Sequence, residues 1–513
     1  MADEEIAHTD ASKTLAKEVY GEKVVYDVAA GESKAVPWTL RLRALAAKYG
    51  AEEAGIERIP TELRTNQNPF DMFTLFASAN VCTATLAFGT LGPALFGLGW
   101  WDSFLALLFF NIIGAIPPSL IATFGPKTGL RTMVVNRYSF GWWPSKLVAL
   151  LNGVNMIGWA MVNTIAGAVI LYDVGQTKLP LSVAVLLIGL IAIIISITGY
   201  QWVHKYERFS WIIMAVCFCI VAGFGAKHFV NVPMGKGPSE TSGILSFGTA
   251  IWAFQVSWGG LSADYAVYMR EDRKSFWVFF WTFNGLFWGG FLVECLGAAL
   301  MTTVSGSPIF EAAYDRGGVG ALLGQLFEGY GTNTRNFGYL IETILSLSVI
   351  AVVTANVYSL GLNIQTTSDA LIKVPRFVWS LLGGAAFLIA AIAGRNQLQE
   401  VMENFLNVIA YWLTPWLTIM LLEHFLWRRR LGYNLEAWNK PSLLPKGFAA
   451  IFSFLVGTVI CILCMSQTWW VGPIALGVGN APFGTDISWE LGLAVTAALY
   501  VPLRFMERKY IGL

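Results

Sequence analysis

The segment Gly158-Trp159-Ala160-Met161-Val162-Asn163 holds the residues best suited to ligand recognition, inside an apolar run long enough to cross a bilayer. Trp159 and Asn163 are four residues apart, so a helix places them on one face, one turn from each other. An indole can stack on a planar ring, and a carboxamide can both donate and accept hydrogen bonds. The alternative is a space-filling Trp and an Asn that bonds to a neighbouring membrane helix.

Two further side chains could complete such a site. Trp258 precedes Gly259-Gly260, and glycines let a helix unwind and let a ligand approach the backbone. The alternative for Trp258 is an indole packed over a glycine notch. Asn356 lies among apolar residues, where a carboxamide needs partners or a wet cavity. It therefore either bonds between helices or binds the polar edge of a ligand.

Three acidic residues in or beside apolar runs are candidates for proton coupling: Asp264, Glu294 and Glu342. A carboxylate near a cavity can hold a proton or pair with a cation. The simpler interpretation of Asp264 is a residue at the cytoplasmic end of its helix that pairs with Arg270 or caps a turn. Glu294 and Glu342 lie within apolar runs and are candidate proton relays.

The composition indicates a polytopic membrane protein. Of the 513 residues, 55% are hydrophobic and 13% are charged, whereas soluble domains carry about 25% charged residues. The net charge of +1 gives no field that would favour nucleic acid as a partner. Enzyme signatures such as H-E-x-x-H, G-x-S-x-G, the P-loop and the dinucleotide fingerprint are missing from the sequence. The sequence therefore predicts no enzyme activity, no metal site and no cofactor.

Twelve apolar runs of about 20 residues, separated by charged islands, predict twelve transmembrane helices. The predicted spans are 72–99, 103–124, 146–172, 180–200, 209–229, 244–268, 276–303, 337–362, 377–394, 400–427, 447–467 and 486–506. The predicted regions are a cytoplasmic tail (1–70), a ten-helix transport core (71–430, with halves 71–230 and 244–430), a cytoplasmic loop (431–446), a C-terminal helix pair (447–506) and a cytoplasmic end (507–513).

Two spans are interrupted by small and polar residues. The first contains Ala87-Phe88-Gly89-Thr90-Leu91-Gly92-Pro93, and the sixth contains Ser257-Trp258-Gly259-Gly260-Leu261-Ser262-Ala263-Asp264. Non-helical backbone at membrane depth is tolerated only where it lines a cavity or is buried in protein. Because spans one and six correspond if spans 1–5 and 6–10 are two halves, this pattern predicts an inverted repeat with its site at the midplane.

Basic residues fix the predicted orientation. Of the 34 Lys and Arg residues, 19 lie in the loops after even-numbered spans and at the C-terminus, six lie in the opposite loops and nine lie in the tail. The positive-inside rule then places both termini in the cytoplasm.

These residues resemble those of the fungal purine–cytosine permeases of the nucleobase:cation symporter-1 family. The resemblance covers most of the chain. The residues that carry it are Pro69-Phe70-Asp71 before span one, Gly158, Trp159 and Asn163 in span three, Ser257-Trp258-Gly259 with Ala263-Asp264-Tyr265 in span six, and Asn356 in span eight.

The resemblance implies a LeuT-like five-plus-five inverted repeat with two extra C-terminal helices, and a base stacked between Trp159 and Trp258. It implies that Asn163 and Asn356 bond the edge of the ring. It also implies a polar contact from span one, for which the candidates are Ser78, Asn80, Thr83 and Thr85. Sodium-coupled relatives carry a hydroxyl pair where this chain reads Ile350-Ala351. The resemblance therefore favours a proton over sodium as the co-transported ion.

The leading prediction is a plasma-membrane proton symporter that imports cytosine and purines such as adenine, guanine or hypoxanthine by alternating access. Uracil, allantoin, hydantoins or pyridoxine are alternative substrates. From another class, the alternative is a non-transporting nutrient sensor, which would usually need a signalling domain larger than the tail of about 70 residues. The sequence leaves the oligomeric state open.

Overall fold

The computed structural model describes residues 55–176, 178–198, 200–479 and 484–512, with the backbone alone described at 198 and 200–208. Residues 1–54 of the predicted tail lie outside this part of the chain. The described residues are helical, without strands beyond two isolated bridges.

The main helices alternate with short connections. In chain order they are α1 (Phe70–Asn80), α2 (Thr83–Gly89), α3 (Trp100–Ala122), α4 (Pro144–Val174), α5 (Leu181–Thr198), α6 (Tyr200–Gly225), α7 (Pro238–Val256), α8 (Ser262–Ala266), α9 (Ser275–Gly306), α10 (Pro308–Phe327), α11 (Thr332–Leu347), α12 (Val349–Thr367), α13 (Arg376–Gly394), α14 (Leu398–Leu422), α15 (Phe448–Cys464) and α16 (Ser488–Tyr510). Shorter helical segments are Thr61–Leu63, Leu91–Leu95, Phe124–Thr128, Thr132–Val135, Arg137–Phe140, Ser257–Gly260, Asp369–Ile372, Glu423–Arg428, Arg429–Leu431, Ala437–Asn439, Pro441–Leu443 and Pro473–Val478.

Length and apolar composition identify the membrane-spanning helices. Within the described residues, six qualify on their own: Trp100–Thr128, Pro144–Val174, Ser275–Gly306, Thr332–Thr367, Arg376–Gly394 and Leu398–Leu431. A seventh span is formed if the bent pair Phe70–Asn80 and Thr83–Leu95 is counted as one. Shorter apolar helices are Leu181–Ile197, Phe209–Gly225 and Phe448–Cys464. The all-helical, multi-pass architecture is therefore confirmed.

The helices form two packed groups. In one, α1 and α2 lie against α9, and α9 and α7 both pack along α3. In the other, α4 runs beside α12, and α5 packs against both α12 and α13. The C-terminal helices α15 and α16 pack on each other and on α14. The α-helical backbone is interrupted between α1 and α2 and between α7 and α8.

The break in the first span lies at Val81 and Cys82, before the predicted interruption at 87–93, so the predicted position was wrong. The two half-helices meet at a bend of 65°. Asn80 lies at the break: its side-chain Nδ2 donates to the Phe76 carbonyl, and its backbone carbonyl accepts from the Cys82 amide. Gly89 is helical instead, since a Cβ there would lie 2.0 Å from the Glu294 carbonyl oxygen. The glycine permits close packing of α2 on α9.

The break in the sixth span was predicted at the right residues. Helix α7 ends at Val256, a 3₁₀ turn covers Ser257–Gly260, and α8 begins at Ser262. By contrast, α10 was missed because its charged residues and the pair Gly317-Gly318 resemble a loop. That pair adopts non-helical backbone, with φ of +58° at Gly318, and kinks the helix.

The last part of the predicted tail packs on the helix connections. The Ile59 amide donates to the Gly129 carbonyl, and the Asn66 amide donates to the Tyr268 carbonyl. Arg64 is buried and donates to the Pro126 carbonyl. The segment 55–69 thus joins the loop after α3 to the end of α8.

A buried ionic cluster attaches α16 to the end of α14. Glu423 accepts two hydrogen bonds from Arg504, at 3.0 Å each, and a third from the Tyr500 hydroxyl at 2.9 Å. Arg428 donates to the same carboxylate, and Arg504 also pairs with Glu507 at 3.1 Å. With Glu423 and Arg504 at most 1% exposed, the cluster fixes the position of the C-terminal helix.

We expect the substitution Glu423→Gln to destabilise the protein strongly, because it leaves the Arg504 charge buried without a full counter-charge. Breaking a buried pair on one side costs about 3–5 kcal/mol. The thermal unfolding midpoint of the purified protein should fall by several degrees. Lys509→Gln is the matched control: Lys509 is exposed on α16, the helix that carries Arg504. This substitution should leave the midpoint unchanged. Equal midpoints for both variants would contradict a stabilising role for the cluster.

Candidate functional site

A small cavity of about 20 Å³ lies between the two helix groups, where both broken helices meet α4 and α12. Pockets with mainly apolar walls and a few convergent polar groups are the usual form of small-molecule sites. The cavity is lined by Ala79, Asn80, Cys82, Thr85, Met156, Trp159, Asn163, Phe254, Ser257, Trp258, Leu261, Val352 and Asn356. Six of the eight substrate-contact candidates from the sequence are among these residues.

The two indoles are held by aromatic neighbours. The ring of Trp159 contacts Phe254 and Phe405 edge to face, with centroids 5.4 and 5.6 Å away. The ring of Trp258 contacts Phe76 in the same way at 5.6 Å, and its Nε1 donates to the Asn80 side chain at 3.2 Å. Both indoles are 7% exposed. Rigid, oriented indoles are suited to stacking on a flat ligand.

The amides present polar groups to the same cavity. The Asn163 Nδ2 donates to the Trp159 carbonyl at 2.7 Å, and its Oδ1 lies 4.0 Å from the Cys82 Sγ. The Asn356 Nδ2 and the Trp159 Nε1 are buried and have no hydrogen-bond partner among the described residues. Buried donors without partners cost free energy, and these two N–H groups are free to donate to acceptors on a ligand.

Of the four polar candidates in span one, two line the cavity and two do not. Asn80 and Thr85 line the cavity. Ser78 lies outside the lining, and its hydroxyl shares a 2.7 Å hydrogen bond with Ser210 on α6. Thr83 uses its backbone amide to donate to the Ser348 hydroxyl at 3.1 Å. The third side of the cavity is therefore formed by Asn80, Cys82 and Thr85.

Phe254 is the main cavity residue that sequence reasoning missed. It precedes Trp258 by four residues, so the helical spacing that linked Trp159 to Asn163 would also have linked these two. Phe405 was missed as well, because it belongs to α14 and reaches the site only through the fold.

The three acidic candidates lie in different surroundings. Asp264 accepts from the Thr132 backbone amide at 2.7 Å, and its own carbonyl accepts from Arg131 at 2.6 Å. Arg270, its expected partner, pairs with Asp272 instead. The side chain of Asp264 thus ties α8 to the loop before α4, outside the cavity lining.

Glu342 is paired with a cation. Arg335 binds the Glu342 carboxylate and also donates to Asp173 at 3.2 Å. This triad joins the end of α4 to α11. Glu342 therefore has a compensating charge in the described structure.

Glu294 is buried on α9 and belongs to an amide chain. Gln255 donates to Asn111, and Asn111 donates to the Glu294 Oε2. All three side chains are completely buried. The Glu294 Oε1 and the Gln255 Oε1 have no partner among the described residues, and Glu294 forms no ion pair there. An unpaired charge is costly at this depth, so the surroundings favour a neutral, protonated Glu294.

No group of three or more potential metal ligands from His, Cys, Asp and Glu occurs in the described part of the chain. Cys461 and Cys464 are free thiols.

We expect Gly158→Ala to weaken ligand binding, because its Cβ would lie 2.0 Å from the Phe405 ring. That ring must shift and release Trp159, which costs an aromatic contact of about 0.5–1.5 kcal/mol, or roughly a three- to tenfold higher KM. Gly153→Ala, on the same helix with its nearest neighbour at 3.5 Å, is the control. An unchanged KM for Gly158→Ala would contradict this cause.

Comparisons with known proteins identify the family of the chain. Residues 58–492 match the family described as permease for cytosine/purines, uracil, thiamine, allantoin. The chain belongs to this family. The resemblance found in the sequence is thereby confirmed, and the protein is a membrane transporter rather than an enzyme.

Individual relatives cover almost the whole permease. The purine-cytosine permease fcyB of Emericella nidulans is 37% identical over 477 residues, 92% of each chain. A vitamin B6 transporter of Saccharomyces cerevisiae is 28% identical over 518 residues, 90% of this chain and 88% of that protein. Mhp1, a nucleobase-cation-symport-1 family transporter solved in a closed conformation with bromovinylhydantoin bound, has a TM-score of 0.67. It is 15% identical, covering 90% of this chain and 95% of Mhp1, and shows the fold.

Proposed function

We propose that this permease imports cytosine and purine nucleobases by proton symport. The observation that carries the proposal is the cavity with two indoles and three carboxamides, in which the Trp159 Nε1 and the Asn356 Nδ2 lack partners among the described residues. Stacking is worth about 1–3 kcal/mol per base but accepts any base. Discrimination must therefore come from the amides, since a site built to hydrogen-bond rejects a ligand that leaves its groups unpaired.

The transport cycle is alternating access about this cavity. We assign twelve spans, ten of them forming a five-plus-five inverted repeat, with both termini in the cytoplasm and the protein in the plasma membrane. Support comes from the two helix breaks that meet at the cavity and from the Lys and Arg bias of the loops. Rocking of the α1, α3, α7 and α9 group against the α4 and α12 group would open the site to either side.

Glu294 is the proposed proton carrier. It has no counter-cation among the described residues, whereas Glu342 is paired with Arg335 and Asp264 accepts a backbone hydrogen bond. A buried carboxyl group without an opposite charge nearby is disfavoured in its charged form, so it takes up a proton more readily than a paired one. Proton coupling is favoured over sodium because Ile350-Ala351 supply no hydroxyl at the position where sodium-coupled relatives have a pair.

Radiolabelled cytosine uptake in a permease-deficient yeast host tests the function. We expect uptake that adenine, guanine or hypoxanthine competes for, that a protonophore abolishes and that replacement of sodium leaves unchanged. Absence of base uptake by protein present at the cell surface would contradict the substrate class. Sodium-dependent uptake would contradict the proton assignment alone.

Pyridoxine is the second candidate substrate, favoured by the likeness to a vitamin B6 transporter. It is also a flat ring with polar substituents. Competition by pyridoxine at micromolar concentration, without competition by cytosine, would select this alternative.

A further inference from the structure

A second pocket, distinct from the substrate cavity, lies where the ends of α3 and α14 meet the start of α9. Its volume is about 260 Å³. We call it the basic pocket, and its lining residues are Leu120, Thr123, Phe124, Lys127, Ser275, Phe276, Phe279, His424, Phe425 and Arg429. One part of this lining is basic and the other is apolar.

The cationic part has no carboxylate partner among the residues that the structure describes. The positive charges of Lys127 and Arg429 repel each other, and both disfavour a positive charge on His424. Neither Lys127 nor Arg429 forms an ion pair with any described residue. The neighbouring acid, Glu423, faces away and is bound by Arg428 and Arg504. Arg and Lys form strong charge-assisted hydrogen bonds with phosphate, so these two cations are suited to hold one.

A local change in helix geometry builds the pocket. The segment Glu423–Arg428 is π-helical, and such wide turns often occur at functional sites. The wide turn directs Glu423 towards α16 and places His424 in the pocket, 4.6 Å from the ring of Phe124. The His424 Nδ1 is also within 3.0 Å of the Tyr433 hydroxyl. The basic wall is thus held in place by packing.

The apolar part faces the bilayer. Phe276 is 61% exposed and Phe425 is 41% exposed, and both belong to the ends of membrane-spanning helices. A soluble anion would leave this surface uncovered, whereas a phospholipid offers a phosphate and an acyl chain together. Basic pockets between transmembrane helices on the cytoplasmic side bind anionic headgroups.

We infer that the basic pocket binds one anionic phospholipid, with its phosphate between Lys127 and Arg429 and an acyl chain along the phenylalanines. The choice of the cytoplasmic leaflet rests on the proposed orientation. The binding itself is independent of the transported substrate, so loss of the proposed function would leave it standing.

Native mass spectrometry of the full-length protein tests the inference. The protein is titrated with phosphatidylinositol or phosphatidylcholine, and bound lipid is counted. We expect tight binding of one phosphatidylinositol, and about thirtyfold weaker binding by Lys127→Gln/Arg429→Gln, at about 1 kcal/mol per charge. Arg430→Gln, an exposed neighbour outside the lining, is the matched control. Equal loss in Arg430→Gln, or equal binding of both lipids, would overturn the proposal.

A cross-linking measurement identifies the occupant. A photoreactive benzoyl-phenylalanine replaces Phe425 in the full-length protein, which is then irradiated in vesicles of phosphatidylcholine with one-third phosphatidylinositol. We expect the mass of a phosphatidylinositol on the peptide that contains position 425. Inorganic phosphate at 10 mM should not prevent this adduct. Suppression of the adduct by phosphate, or a cross-link to residues 1–54 instead, would overturn the lipid assignment.

Discussion

The substitution Glu294→Gln is expected to abolish accumulation of base against its gradient while leaving base binding in place. Gln is nearly isosteric with a protonated Glu, so the amide chain through Asn111 and Gln255 can persist. It cannot release a proton, so the coupled step of the cycle is lost. Glu294 is not among the residues that line the cavity, so the affinity for base should change little.

The measurement separates coupling from binding. Proteoliposomes with an inward proton gradient should concentrate cytosine with the wild-type protein and only equilibrate it with Glu294→Gln. Wild-type uptake should rise as the external pH falls, because the protonated form of Glu294 is the loaded form, and the variant should lose this dependence. Glu311→Gln, an exposed acid on α10, is the matched control.

A different set of results would contradict this role for Glu294. If Glu294→Gln kept protonophore-sensitive accumulation with the wild-type pH profile, Glu294 would serve only to join α3, α7 and α9. If Glu294→Gln lost both base binding and transport and had a lower unfolding midpoint, the conclusion would also be that Glu294 has a structural role only.

The sequence predicted the parts of the fold that depend on local composition. The apolar runs indicated the spanning helices, and Gly259-Gly260 marked the break after α7, because both signals depend on neighbouring residues. The break after α1 was placed too late, because glycine can either unwind a helix or allow close packing. Which of the two a glycine does depends on the element packed against it. Here the α9 backbone lies against Gly89, so the glycine allows close packing.

The sequence predicted those residues of the candidate site whose spacing along one helix places them on the same face. Trp159 and Asn163 lie four residues apart on α4 and both line the cavity. The sequence could not tell which of Ser78 and Asn80 contacts the cavity, because both are polar and both lie near the end of α1. In the structure, Asn80 lines the cavity, whereas the Ser78 hydroxyl bonds to Ser210. Phe405 and the partners of Glu294 come from distant helices, so their contacts depend on tertiary packing.

The substitution Asn163→Ala is expected to abolish base transport, with the protein still reaching the membrane. It removes an acceptor from the cavity and the 2.7 Å hydrogen bond to the Trp159 carbonyl. A hydrogen bond to a buried partner contributes about 1–3 kcal/mol once the unpaired group is counted. Loss of the ligand contact together with the position of Trp159 should lower kcat/KM for cytosine by about 10²-fold or more.

Ser78→Ala is the control that makes this result specific, because Ser78 was an equal candidate in sequence and lies outside the cavity lining. Uptake of radiolabelled cytosine, normalised to surface protein, should be lost in Asn163→Ala and retained in Ser78→Ala. Normal uptake by Asn163→Ala would contradict the site. Equal loss in both variants would show that disturbance of the helix groups, rather than contact with the base, limits transport. Retained cytosine uptake by Ser78→Ala, with uptake lost in Asn163→Ala, would therefore assign recognition of the base to the residues that line the cavity, at the broken end of α1 and the facing turn of α4.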